Sequence, residues 1–229
     1  MKFEKIKSHA KINLSLNVLG KKKFKFHNLE TLVGFLDLHD DIYIKKTNKK
    51  NHIIKFTGNF SNKIPKKNTI SNLLKVLDKA KKLKNQKYLI SIKKNIPQEA
   101  GLGGGSMNAA SLINYLIKKN IISLTIKEKQ NLCLKIGSDV ILGIDQKNLV
   151  FAYKNKIKKI KKNLKIFTLL IKPNFGCSTK KIYAQVRNYS KPQFFKIKSK
   201  NINFNTLSKM KNDLEVVSFK LYPRLWKLR

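Results

Sequence analysis

The sequence predicts an α+β fold, and three observations lead there. Several short runs, residues 8–18 first among them, alternate apolar and polar side chains with the two-residue period of a strand. Other runs place Ile70, Leu73, Leu74, Leu77 and Ala80, or Ala109, Leu112, Ile113, Leu116 and Ile117, at helical spacing. Between a strand pattern at 88–93 and the second of these helices lies a loop with four of the chain's 10 glycines. At 229 residues the chain is long enough to bury a real core, as one large domain or two lobes.

In the strand at 8–18, Ile12, Leu14, Leu16 and Val18 share one face, which leaves Lys11 and Asn13 together on the other. A basic turn at 20–25 leads to residues 26–32. The segment 36–44 carries three of the 12 acidic residues. Its Asp40-Asp41 pair reads as a β-turn entering a strand at 42–45 rather than as a metal site. A short strand at 53–56 and a polar loop at 58–67 follow. Asn68 is placed to cap a helix running to about residue 83. After the glycine loop a helix begins near Ser106. Thr125 caps another at 126–136, which stops at Gly137. Residues 150–153, 156–160 and 165–171 read as three strands. Thr179 is placed to cap a helix, residues 188–205 form a polar connector, and Asn212-Asp213 opens a last helical run containing Leu214, Val217, Phe219 and Leu221.

The formal net charge of +39 is carried almost wholly by lysine, since the arginines are Arg187, Arg224 and Arg229 alone. The lysines are spread along the chain with no aromatic recognition motif among them. Compositional drift in an AT-rich genome therefore explains them better than nucleic-acid binding does. Such a field still draws in a small anionic substrate. Cys133 and Cys177 stand in no metal-ligating cluster and read as reduced thiols of a cytoplasmic protein. No signal peptide or stretch of membrane-spanning length is visible, so no membrane partner is expected.

The loop Pro97-Gln98-Glu99-Ala100-Gly101-Leu102-Gly103-Gly104-Gly105-Ser106-Met107-Asn108-Ala109-Ala110 carries the chemistry. A helix start has unpaired N–H groups and the positive end of the helix dipole, and glycines let the backbone close on an anion. The pattern is neither a Walker A loop nor the dinucleotide fingerprint. Phosphate binding is the reading it favours over a plain flexible turn. Ser106 is read as a helix cap, a phosphate contact or a Mg²⁺ ligand.

Pro97-x-x-Ala100-Gly101-Leu102-Gly103-Gly104-Gly105-Ser106-x-x-Ala109-Ala110 resembles the phosphate loop of the galactokinase, homoserine kinase, mevalonate kinase and phosphomevalonate kinase superfamily. Its three consecutive glycines are most similar to the branch that phosphorylates a cytidyl-bearing alcohol. The resemblance implies a two-lobed small-molecule kinase with a left-handed β-α-β N-terminal lobe. It implies ATP as phosphoryl donor; Mg²⁺ is then expected to bind mainly through ATP and water, since no acidic cluster is evident. Gly101, Leu102, Gly103, Gly104, Gly105 and Ser106, with Pro97 and Asn108 of the same motif, are then the phosphate site. Asn68 and Lys94 match family residues near the nucleotide. Ala10-Lys11-Ile12-Asn13-Leu14 resembles the motif whose lysine stands beside the catalytic aspartate. Gly137-Ser138-Asp139-Val140 resembles the string that supplies that aspartate, with Ile141 where proline is usual. Asp139 is thus the expected base and Lys11 its electrostatic partner. Phe26-His27 resembles the tyrosine-histidine pair that holds the cytosine, and Asn13, Thr179 and Tyr183 match other substrate-positioning residues.

The superfamily continues past this point with a further glycine-rich segment, whereas the last glycine here is Gly176. The expected organisation is an ATP-binding lobe at 1–153 and an incomplete, truncated C-terminal lobe at 154–229, with a homodimer left open. Three other functions stay open: a sister kinase for another small alcohol, an ATP-binding relic without turnover, and a lysine-rich nucleic-acid binder.

Overall fold

A computed structural model of the protein describes residues 2–21, 27–144, 146, 149–153, 156–160, 165–193 and 202–228, and for Lys180 the backbone alone. The chain divides into two compact units. The first comprises Met1–Lys11, Leu36–Gln98 and Leu102–Ile144, and the second Ile12–Phe35, Glu99–Gly101 and Asp145–Arg229. Two long paired strands, β1 (Glu4–Lys21) and β2 (His27–Thr47), contribute to both.

In the first unit, β3 (Ile53–Thr57), β4 (Lys87–Lys93) and the end of β2 lie side by side in the order β3-β4-β2. β3 and β4 are parallel, joined through helix α1 (Thr69–Lys79) as a β-α-β unit, while β2 runs antiparallel to β4. The register sets Ile42 opposite Ile92 and Ile44 opposite Ile90. These four side chains are almost fully buried, against Leu73 and Leu77 of α1, Ala109, Leu112 and Leu116 of α2 (Gly104–Lys118), and Leu132 and Cys133 of α3 (Ile126–Ile136). Each such aliphatic side chain contributes about 1.5–3 kcal/mol by leaving water.

Helix boundaries follow local chemistry. Asn68 accepts from the amides of Ile70 and Ser71, and the Ser71 hydroxyl accepts from the Asn68 amide, closing a capping box on α1. The helix stops at Lys79 rather than near residue 83, because Lys81, Lys84 and Asn85 take positive φ. Thr125 and Glu128 form the same reciprocal cap on α3. Asp40 and Asp41 do not form the expected turn. Both lie inside β2, with Asp41 paired to Lys93 in the β2–β4 ladder.

In the second unit the start of β2 pairs antiparallel with β5 (Leu149–Tyr153), which pairs in turn with β6 (Lys156–Ile160). Leu32, Phe151, Ile160 and Ile202 make one apolar cluster, and Leu16, Val18 and Val186 another. Short helices α4 (Thr179–Ala184), α5 (Phe204–Ser208) and α6 (Leu214–Leu221) complete it, with a 3₁₀ turn at Pro223–Leu228. The Asp213 carboxylate accepts from the Val18 amide at 2.7 Å, and the buried Glu30 carboxylate accepts from Asn17 Nδ2 and the Gln193 amide. The strand expected at 165–171 is absent. That stretch is coil, with Phe167 and Leu169 exposed, because no neighbouring strand among the described residues takes up its backbone hydrogen bonds.

Candidate active site

The glycine loop ends on α2, which begins at Gly104, two residues before the expected start. Its N-cap is Gly103, in the left-handed region at φ 67°, with no side-chain cap. The first helical bond runs from the Met107 amide to the Gly103 carbonyl at 2.9 Å, so the amides of Gly104, Gly105 and Ser106 precede the hydrogen-bonded ladder. Ser106 sits inside the first turn and is not the cap. Its hydroxyl lies 3.7 Å from where a Cβ on Gly137 would stand. Gly101, at φ 71°, and Gly105 are exposed, and a Cβ on Gly101 would meet nothing within 4 Å. Open backbone at a helix start is what a phosphate needs.

The catalytic candidates converge on the same place. The Lys11 amide donates to the Leu102 carbonyl at 3.0 Å, and a Cβ on Gly103 would come within 2.9 Å of the Lys11 Cγ. Glycine is therefore required at 103 both for its φ and for the lysine stem passing over it. The buried Lys11 ammonium reaches the partly exposed Asp139 carboxylate at 3.7 Å. Asp139 is carried by the turn after α3. The Val140 amide donates to Gly137 O and the Leu142 amide to Asp139 O, both at 3.1 Å, holding that turn into a 3₁₀ segment, Val140–Ile144.

The remaining nucleotide-side candidates surround this loop. Asn68 spends its side-chain oxygen on the α1 cap and donates its amide to Pro65 O and Lys66 O. Its neighbour Thr69 donates a hydroxyl hydrogen bond to Gly105 O at 2.7 Å. Lys94 is buried, not a surface lysine, and pairs with the fully buried Asp40. Pro97 is half-buried. Asn108 is buried on α2, and its Oδ1 has no hydrogen-bond partner among the described residues. Thr69 and Asp40 were missed by sequence reading. Asp40 gave no distinct local signal, since Asp37, His39 and Asp41 stand beside it.

The second unit holds the cytidyl-side candidates. Asn13 Nδ2 donates to Thr31 Oγ1 at 2.8 Å. The His27 and Tyr183 rings lie 5.2 Å apart, tilted by 31°. Burial and the charge of Lys21 push the His27 imidazole below its usual pKa, and its Nε2 has no hydrogen-bond partner among the described residues. Thr179 is exposed and is the first residue of α4 rather than its cap. Ser178 is the cap, accepting from the Lys181 amide. Phe26 lies outside the described residues.

Residues 68–154 match the family model for the GHMP kinases N terminal domain. A 4-diphosphocytidyl-2-C-methyl-D-erythritol kinase of Pelagibacter ubique is 51% identical over 225 residues, 98% of this chain and 80% of the relative. The chain belongs to the 4-diphosphocytidyl-2-C-methyl-D-erythritol kinase family. Relatives bearing the same name from Francisella tularensis subsp. holarctica and Fusobacterium nucleatum are each 33% identical, over 97% and 83% of this chain and 79% and 65% of theirs. The crystal structure of a 4-(cytidine 5'-diphospho)-2C-methyl-D-erythritol kinase superposes with a TM-score of 0.71 at 22% identity, over 99% of this chain and 81% of that one. That likeness establishes the fold.

Proposed function

We propose that this kinase transfers the γ-phosphoryl group of ATP to the 2-hydroxyl of 4-diphosphocytidyl-2-C-methyl-D-erythritol, a step in non-mevalonate isoprenoid biosynthesis. The observation that carries the reading is the Lys11–Asp139 pair beside the unladdered amides of Gly104, Gly105 and Ser106. In this reading the Asp139 carboxylate accepts the proton of the hydroxyl as its oxygen attacks the γ-phosphorus. The bond from that phosphorus to the β–γ bridging oxygen breaks, and ADP leaves. Lys11 offsets charge on the transferring group, and the loop amides hold the ATP phosphates.

Mg²⁺, carried by ATP, would supply charge neutralisation on the phosphates held by the loop. No cluster of three or more metal-ligating His, Cys, Asp or Glu side chains occurs among the described residues. The cytidyl end is assigned to His27 and Tyr183, with Asn13, Phe26 and Thr179 in support. A neutral imidazole with a free ring nitrogen suits a hydrogen bond to a base. The ATP-binding role is assigned to residues 1–153. A cytoplasmic enzyme on a small substrate is part of the proposal; no helix of the described residues is long and apolar enough to cross a membrane.

The test is a coupled assay of ADP release with 4-diphosphocytidyl-2-C-methyl-D-erythritol, set beside galactose, homoserine and mevalonate. Turnover with the cytidyl alcohol alone is expected. Turnover with another alcohol instead would reassign the substrate, and turnover with none would remove the activity.

A further inference from the structure

The most deeply buried ion pair among the described residues is not Lys11–Asp139 but Asp40–Lys94, whose side chains are 0% and 5% exposed. Asp40 comes from β2 and meets the end of β4, where the chain leaves the sheet for the glycine loop. One carboxylate oxygen takes the Lys94 ammonium, and the other accepts from two successive amides, Asn95 at 2.8 Å and Ile96 at 2.9 Å. Three donors, one of them charged, satisfy a carboxylate that is fully buried. The main chain of Lys94 is held as well. Its amide donates to Thr57 O at 2.7 Å, and Gly58, at φ 89°, approaches so closely that a Cβ there would come within 2.7 Å of Lys94 O.

The residues that Asp40 holds are those on which Gly104 rests. A Cβ on Gly104 would stand 3.3 Å from the Lys94 Nζ, 3.1 Å from Ile96 Cγ2 and 3.4 Å from Ile96 Cβ. The Lys94 ammonium, which Asp40 holds directly, and the side chain of Ile96, whose backbone amide Asp40 holds, thus form the floor beneath the first residue of α2. We propose that Asp40 is a positioning residue for the phosphate loop: it holds Lys94 and Ile96 beneath Gly104 and thereby sets where the amides at 104–106 point. Its relevance to ATP rests on the kinase reading above, while its effect on the loop does not.

The experiment compares wild type with Asp40→Asn and with the double variant Asp40→Asn/Lys94→Met. The single variant leaves a buried ammonium without its counter-charge and is expected to be poorly stable. The double variant removes both charges and is the one to assay, once a cooperative melt shows that it folds. Amide hydrogen exchange without nucleotide reads the loop directly, so a lost Lys94–phosphate contact cannot produce the signal. Exchange at 102–106 is expected to speed up at least about tenfold while α3 stays as in wild type. The KM for ATP is expected to rise about tenfold, with the KM for the cytidyl alcohol within about twofold of wild type. Unchanged exchange at 102–106 in the folded double variant, or the two KM values rising together, would overturn the proposal. If wild type turns over no cytidyl alcohol, the kinase reading fails, and the exchange result still decides the role of Asp40 in the loop.

Discussion

The Lys11 side chain passes so close over Gly103 that its Cγ lies 2.9 Å from where a Cβ on that glycine would stand. The same lysine ends 3.7 Å from the Asp139 carboxylate. A methyl group at position 103 would therefore push the ammonium away from its partner.

Gly103→Ala is expected to lower kcat about a hundredfold, since misplacement by about 1 Å costs that much. The left-handed φ of 67° adds strain of about 1–2 kcal/mol to the folded state. Gly101→Ala, at a similar φ but in open space, carries the strain without the clash and should keep most of its kcat. Steady-state kinetics and chemical melts on the two variants check the contrast.

Lys11→Met keeps the packed stem and removes the charge. It should lower kcat by about 10²–10³-fold, with the KM for ATP changed far less, because its effect falls on charge that develops in the transition state. A raised KM for ATP with kcat unchanged would instead make Lys11 a ground-state binding residue.

Tyr183→Ala removes the ring beside His27 and should raise the KM for the cytidyl alcohol about tenfold, in the range for loss of one base-stacking surface. The KM for ATP should not move. A variant with wild-type kinetics would take Tyr183 out of the substrate site.

His52 accepts a hydrogen bond from the Tyr88 amide on Nδ1 at 3.0 Å and contacts Asp78 through Nε2 at 3.1 Å. Burial, the largest influence, holds its pKa below the usual 6.5 despite Asp78. Below that pH the unfolded chain takes up a proton that the folded chain resists. Stability therefore falls as pH drops from about 6.5 towards the folded pKa. Urea midpoints at pH 8, 6.5 and 5.5 should show that fall in wild type and a shallower one in His52→Gln.

How much of this was legible in the sequence depended on whether the deciding partner was near in the chain. The caps at Asn68 and Thr125 were readable because both halves of each box lie within three residues. The cores of β2 and β4 were readable from alternation, whereas in β1 the polar Ser15 and Asn17 are buried as deeply as Leu16 and Val18. Asp40 was misread as a turn residue because its partners, Lys94 to Ile96, stand more than 50 residues away. Residues 165–171 have a strand's pattern, but no local signal says whether a neighbour will accept them. The proposed catalytic pair was reached by resemblance. Nothing local to Lys11 or Asp139 distinguishes one lysine of a lysine-rich chain or one aspartate after a helix.

The most direct test is single-turnover phosphorylation of the cytidyl alcohol by wild type and Asp139→Ala, with ATP affinity measured on both. The account predicts at least a hundredfold slower transfer in the variant, with ATP bound as tightly as in wild type. A variant that transfers phosphate at the wild-type rate would show that Asp139 is not the base, and the proposed chemistry would be wrong.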